Sequence, residues 1–422
     1  MHGVRSLRLT GLVVAGLLAA TACSGGSESV SDAGRASTTG GAATAAATAA
    51  TPLKVVSVAP ATLTGTSRIV VTFRHPLPDD SVLPTISPTT PGQWERDGAT
   101  ATFIPAQSYP PSTRFTLTLP QPNGMATTIG QAVSDAGSLR FAAQILARLH
   151  YLPLDTKAVQ PSDAAAEAAA VYLPPAGKFT WRFDNTPSEL VTDWKPGQEN
   201  VVLRGAVIAF QHQEHLAQDG AIGPATWKAL QKADLSGEMN PDKYSYISAN
   251  LYLPQRLNVW VDGKTVLTTA VNGGVAAAPT PLGTYPIYLR YTATTMQGTN
   301  PDGTKYKDKG VPWVNYFSGG SAVHGFVRSS YGYPQSVGCL ELPPDTAKRV
   351  FDLVDYGTLV DVDGPYVKPP KVGKPAPPKP KHTKHPGPTP SPRPTGSITA
   401  SPSATPTKSA TAEPTRSHNP RR

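Results

Sequence analysis

The 422-residue sequence predicts a multidomain, mainly β protein. A β-sandwich comes first, then a small helical module carrying an insert, then a mostly β unit with one helix. Three observations predict this. The length exceeds what one ordinary core organises. Runs rich in Val, Ile, Thr and Phe recur between Pro, Gly and Asp turns, while helical spacing of apolar residues is concentrated in the middle. Both ends lack apolar periodicity, in a chain with 45 Pro and 37 Gly, and read as disordered.

The charge is lopsided. The net charge is +9. From Lys368 to Arg422 there are 11 Lys and Arg against one acidic residue, Glu413, which gives +10 and leaves −1 on the first 367 residues. The folded part therefore carries no nucleic-acid footprint. The Pro-, Lys-, Ser- and Thr-rich tail, residues 367–422, suits a polyanionic surface or serves as a solvated linker.

Residues 1–23 read as an export segment. Arg5 and Arg8 precede an apolar run, Leu9 to Ala22, that is too short to span a bilayer stably. It closes on Ala20-Thr21-Ala22-Cys23-Ser24, which resembles a bacterial lipobox. That resemblance implies diacylation of Cys23, a membrane lipid anchor of actinobacterial lipoprotein type and a location facing the cell wall. An ordinary signal peptide cut at small residues is the alternative. Residues 24–51 are Ser, Gly, Ala and Thr and read as a flexible tether.

Residues 52–141 contain four strand-like runs: Leu53 to Val56, Arg68 to Phe73, Thr100 to Ile104 and Arg114 to Leu119. Their spacing suits a sandwich. Val58-Ala59-Pro60 followed by Val71-Thr72-Phe73 resembles bacterial immunoglobulin-like modules. Such a unit spaces the chain from its anchor or touches the wall.

Residues 142–236 carry helical spacing in Ala142 to Leu149 and again in Leu203 to Gln211. Pro224 suits the first turn of a further helix through Trp227 and Leu230. Ala209-Phe210-Gln211, then Asp219-Gly220-x-x-Gly223, then Thr226-Trp227-x-x-Leu230 resembles the three-helix peptidoglycan-binding module. An insert of about residues 153–200 departs from that pattern. It holds an Ala-rich helical piece at 163–171 and aromatic strands around Phe179 to Phe183. His212 and His215 are spaced to share a helix face, as a metal pair or as exposed or capping histidines. No third ligand stands near them in sequence, and no metal is expected.

Residues 244–364 alternate like strands. Tyr246 to Asn250 and Arg256 to Lys264 form a pair with an Asp262-Gly263 hairpin turn. Val266 to Val271 follows, then Gly and Pro punctuation, then Val314 to Phe317 and Ser321 to His324 around Gly319-Gly320. Pro343-Pro344-Asp345 opens a helix, Thr346 to Val354. The polar stretch Tyr291 to Val311 reads as a flap over a site or as a plain surface loop. Cys339 has only Cys23 as a possible disulfide partner. A lone thiol in an exported chain, with His324 nearby in sequence, is a candidate nucleophile and base.

Four motifs in order resemble an L,D-transpeptidase (YkuD-type) catalytic domain. They are the Asp262-Gly263-Lys264 hairpin, Pro279 to Tyr285, Ala322-Val323-His324-Gly325, and Ser336-x-Gly338-Cys339 with the following helix and Gly357-Thr358-x-Val360. The resemblance implies Cys339 as nucleophile, His324 as general base, the Gly325 carbonyl orienting the imidazole, and the Gly338 and Cys339 amides as oxyanion donors. Two positions depart from the pattern. Val337 stands where His is usual, and Glu341 where Arg or Asn is usual. Glu341 selects an amine or holds an arginine such as Arg328. Ser336, Trp313, Tyr316 and Tyr333 are candidates for the substrate groove, with core packing the alternative for the aromatics.

The activity implied is 3-3 cross-linking of donor and acceptor peptidoglycan stem peptides through a cysteine thioester, in cell-wall remodelling, with no cofactor. A carboxypeptidase or hydrolase using the same thioester, and a non-catalytic wall-binding scaffold, are the alternatives.

Overall fold

The computed structural model describes residues 53–121 and 124–365. The export segment with Cys23, the tether and the basic tail lie outside them. The chain divides between Tyr244 and Ser245 into two compact units. No described helix is long and apolar enough to cross a membrane.

The first unit opens with eight strands: β1 (Val55–Ala59), β2 (Thr62–Leu63), β3 (Ile69–Phe73), β4 (Thr85–Ser87), β5 (Gly92–Asp97), β6 (Thr100–Pro105), β7 (Arg114–Pro120) and β8 (Ala126–Ser134). They form two four-stranded sheets, ordered β1-β3-β6-β5 and β2-β8-β7-β4. Strict alternation in β3, β6 and β7 buries every second side chain. Ile69, Val71, Phe103, Phe115 and Leu117 thereby join one core between the sheets. The sequence pattern missed β5, whose side chains are mostly exposed and polar, because an edge strand needs no apolar face.

Helical residues follow. The elements are α1 (Leu139–Arg148), β9 (Leu154–Thr156), α2 (Ala164–Ala170), β10 (Phe179–Trp181), α3 (Ser188–Asp193), α4 (Val201–Gln213) and α5 (Pro224–Ser236). Helix α1 begins earlier than its apolar spacing predicts, because Ser138 caps it by accepting from the Phe141 amide. Asn200 caps α4 in the same way. Helix α5 has Pro224 in its first turn and ends at Gly237. Phe141 and Trp227 stack with ring centroids 6.4 Å apart, joining α1 to α5.

Gln211, at the end of Ala209-Phe210-Gln211, is buried. Its amide nitrogen donates to Asp219 Oδ1 at 2.8 Å and to the Ala221 carbonyl at 2.9 Å. Its oxygen accepts from the Gly220 amide at 2.9 Å. The glutamine thus braces the Asp219-Gly220 turn from the helix before it. His212 lies in the last turn of α4, whereas His215 lies past its cap at φ 56°. The two therefore do not share a helix face.

The second unit consists of β11 (Ser245–Asn250), β12 (Arg256–Val261), β13 (Lys264–Ala270), β14 (Gly283–Pro286), β15 (Leu289–Thr299), β16 (Lys305–Ser318), β17 (Ser321–Gly325), β18 (Leu340–Leu342), α6 (Pro344–Leu353) and β19 (Leu359–Asp363). One sheet runs β13-β12-β11-β19-β14 and the other β15-β16-β17-β18. Ile247, Val259, Phe317, Val323, Leu340, Leu342 and Val360, with Ala347 and Val350 of α6, share a single core. The β12–β13 turn has Asp262 at φ 43° and Gly263 at φ 86°, as a two-residue hairpin of type I′ requires.

The stretch from Tyr291 to Val311, expected as a flap over a site or a plain surface loop, is regular β structure. It is most of a long hairpin, β15 paired with β16 from Leu289↔Tyr316 out to Thr299↔Lys305. Polar Thr-rich strands can pair without a buried face, so apolar periodicity did not reveal them. Pro301-Asp302-Gly303 at the tip was the readable turn signal.

Buried charge ties the helices of the first unit together. Arg148 of α1 donates to Asp234 of α5, Nε to Oδ1 at 2.8 Å, and Asp234 is 1% exposed. Glu167 of α2 is buried beside them. Burial first, and then the Asp234 carboxylate, push its carboxyl up from the usual 4.5 to about 8. A raised folded value means that this group's contribution is full below pH 4.5 and is lost as pH rises through about 8. The melting temperature of the first unit should accordingly fall between pH 5 and 8, as read by calorimetry. Glu167→Gln should flatten that fall, and an unchanged slope in the variant would contradict it.

Candidate active site

Strands β17 and β18 pair in parallel, with Val323↔Leu340, His324↔Glu341 and Gly325↔Leu342. Side chains alternate across a strand. Val323, Leu340 and Leu342 therefore enter the core, which leaves Ala322, His324 and Glu341 on the opposite face. Cys339 precedes β18 by one residue and falls on that face as well. Neighbouring strands lie about 4.8 Å apart. The register thus sets the thiol and the imidazole on one face as diagonal neighbours, although 15 residues separate them in the chain.

His324 is 3% exposed. Its Nδ1–H donates to the Gly325 carbonyl at 3.0 Å. A carbonyl only accepts, so the neutral ring carries its proton on Nδ1 and leaves Nε2 free to take one. Burial holds this imidazole below the usual histidine range, against the Gly325 bond and the Glu341 carboxylate, which raise it. Gly325 also permits a close approach. A Cβ there would lie 3.0 Å from Pro312 Cγ and 3.1 Å from Pro344 Cα.

The loop before Cys339 is fixed by hydroxyls. Ser336 is 1% exposed. Its Oγ donates to the Cys339 carbonyl at 2.6 Å and accepts from the Gly338 amide at 3.2 Å. Thr280 donates to the same carbonyl at 3.3 Å and accepts from the Gly274 amide at 2.9 Å. Gly338 sits at φ 106°, which a side chain would oppose. The thiol of Cys339 is half-buried and donates to the Gly320 carbonyl at 3.9 Å. Burial pushes it up to about 11, against the Ala322 amide, which lowers it.

Several expected groove residues take other places. Ser336 is closed off and holds backbone. The Gly338 amide, expected as an oxyanion donor, is engaged by Ser336 in this resting state. Trp313 sits at φ 57° within β16 and packs on α6, 5.6 Å from the Phe351 ring, with Lys348 Nζ 5.1 Å from its own ring. Tyr333 is 39% exposed and bonds Ser330 through its hydroxyl. Tyr316 does stand beside Cys339, together with Met296, Val311, Val314 and Ala322.

Sequence reasoning passed over Met296 and Tyr306. Both belong to the hairpin, and Tyr306 is near enough to sense the charge of Cys339. It also gave no role to Thr280 or to Asn272. Asn272 is fully buried, and its Oδ1 accepts from the Gly332 amide at 2.9 Å. Glu341 is held by Arg328 through two 2.8 Å hydrogen bonds, Nε to Oε2 and Nη2 to Oε1. Of the two roles expected for Glu341, it is thus the arginine that occupies the carboxylate.

Residues 245–362 match the YkuD family, the L,D-transpeptidase catalytic domain. No curated protein matches the chain. Among solved structures it is similar to an L,D-transpeptidase from Mycobacterium smegmatis, at 16% identity over 74% of this chain and 100% of that one, with a TM-score of 0.26. It is also similar to the catalytic domain of the Enterococcus faecium L,D-transpeptidase, at 29% identity over 29% of this chain and 100% of that one, with a TM-score of 0.26. L,D-transpeptidase 3 from Mycobacterium tuberculosis gives 13% identity over 73% of this chain and 97% of that one, with a TM-score of 0.26.

Ser336→Ala removes one bond to the Cys339 carbonyl and one from the Gly338 amide. Alkylation of Cys339 by iodoacetamide, followed by mass spectrometry of its peptide, should slow by about tenfold. An unchanged rate would mean that the hydroxyl does not hold Cys339.

Proposed function

We propose that the second unit is a peptidoglycan L,D-transpeptidase that joins stem peptides through a thioester on Cys339. The observation that carries this reading is the parallel β17–β18 register, which sets the thiol and a tautomer-locked imidazole on one face.

The starting state is neutral. The thiol is raised to about 11 and His324 is lowered, so a standing thiolate–imidazolium pair is disfavoured. The proton leaves Sγ for Nε2 of His324 as sulfur attacks the donor amide carbonyl. The Gly325 carbonyl, already accepting from Nδ1, stabilises the imidazolium that results. In this reading the Cys339 amide donates to the developing oxyanion. The Gly338 amide joins it once its bond to Ser336 loosens, and one such donor contributes on the order of 3 kcal/mol. The carbon–nitrogen bond breaks, and His324 returns its proton to the departing amine, a terminal D-alanine. An acceptor amine then attacks the thioester carbonyl and gives a proton to His324, the carbon–sulfur bond breaks, and His324 passes the proton to the departing sulfur, which restores the thiol as the 3-3 cross-link forms.

In the same reading Cys23 carries the lipid anchor, and residues 142–236 bind peptidoglycan. Support comes from the Ala20 to Ser24 pattern and from the glutamine-braced turn at Asp219-Gly220.

Incubation of the full chain with tetrapeptide stems, read by mass spectrometry, should release D-alanine and yield a dimer. Cys339→Ala should abolish both, and His324→Ala should lower the rate by about 10²–10⁴-fold. Equal product from wild type and Cys339→Ala would overturn the reading. Tripeptide alone, in the presence of abundant acceptor, would make the enzyme a hydrolase.

A further inference from the structure

Glu341 is 4% exposed and lies opposite His324 in the β17–β18 register. A carboxylate buried there faces both reacting groups. Its negative charge raises the thiol of Cys339 and the imidazole of His324 alike. Unpaired, it would be costly to bury and would oppose formation of the thiolate.

Arg328 answers it from the loop that leads to the nucleophile. Beyond its two bonds to Glu341, Nη2 reaches the Gln335 carbonyl at 3.4 Å. The guanidinium lies 4.6 Å from the centroid of Phe326, and that ring meets His324 edge-on at 6.1 Å. The Arg328 amide donates to the Tyr331 hydroxyl at 3.1 Å, which donates in turn to the Phe326 carbonyl at 2.7 Å. Asn272 holds the same loop at Gly332, and its backbone pairs with Glu341 through bonds of 3.0 and 2.9 Å. The ion pair is therefore both a clasp on the loop and a charge balance beside the reacting groups. Asp308, Tyr306 and Tyr316 of β16 also face this site.

We infer that Arg328 and Glu341 are a pair of positioning residues: their bidentate contact pins residues 326–335 against β18 and offsets part of the carboxylate charge beside Cys339 and His324. The inference rests on the reaction assigned above to Cys339, and it goes further by naming what sets the electrostatics of that cysteine.

The test is the pH profile of Cys339 alkylation by iodoacetamide in the full chain, read on the Cys339 peptide so that Cys23 does not contribute. No stem peptide is involved, so this result stands apart from the assay that decides the reaction. Glu341→Gln leaves the arginine uncompensated and should move the midpoint down by about one unit. Arg328→Gln leaves the carboxylate uncompensated and should move it up by about one unit. The double variant, neutral at both positions, should return to within about half a unit of wild type. A merely structural role would move both single variants in the same direction. That outcome, or an unmoved midpoint in Glu341→Gln, overturns the proposal. If Arg328→Gln does not fold, Glu341→Gln and the double variant still decide it.

Discussion

The second unit depends on one parallel pairing, three residues long, between β17 and β18. Each partner arrives differently. Strand β17 follows β16 through the tight Gly319-Gly320 turn, so local sequence nearly suffices to place it. Strand β18 comes back after a 14-residue excursion, residues 326–339, and its register must be imposed from outside. Val323, Leu340 and Leu342 impose it by entering one core. A slip of one residue would turn Cys339 and Glu341 inward and put leucines on the reactive face. Hydrophobic burial thus fixes which side chains meet, and hydrogen bonds refine how they meet.

The refinement is polar and buried. Asn272, Thr280 and Ser336 are each 3% exposed or less, and each directs a side-chain oxygen at backbone of the nucleophile loop. Buried hydroxyls and amides are favourable only when they are satisfied. Here the groups that satisfy them are the backbone atoms that have to be held. The electrostatics follow the same economy. Cys339 and His324 both rest uncharged, so burial of the pair carries no standing charge apart from the clasped Arg328–Glu341. In the proposed reaction, charge separates only as sulfur attacks.

Much of this was legible in the sequence. The thiol, its histidine and the strands of the last unit carry period-two patterning and short ordered motifs. The Asp262-Gly263 turn and Pro224 at the start of α5 have local physical causes that sequence shows directly. Other features were not legible. The β15–β16 hairpin pairs polar strands, and β5 is an exposed edge, so neither leaves an apolar signature. Trp313 looked available for a substrate groove, yet a left-handed backbone angle turns it onto α6, and no spacing rule shows that. Ser336 was expected at the substrate groove, and the structure buries it against backbone. A serine beside a nucleophile reads as substrate contact until its burial and its two backbone partners are known.

The doubly held carbonyl of Cys339 has a kinetic consequence. Two hydroxyls from different parts of the chain, Ser336 and Thr280, converge on that single oxygen. The following residues are locked into a parallel ladder. The peptide plane after Cys339 is therefore held more firmly than the cysteine χ1 torsion. A rotamer change in a half-buried side chain is fast compared with domain or loop rearrangement. The thiol can therefore change its direction without any rebuilding of the loop that carries it.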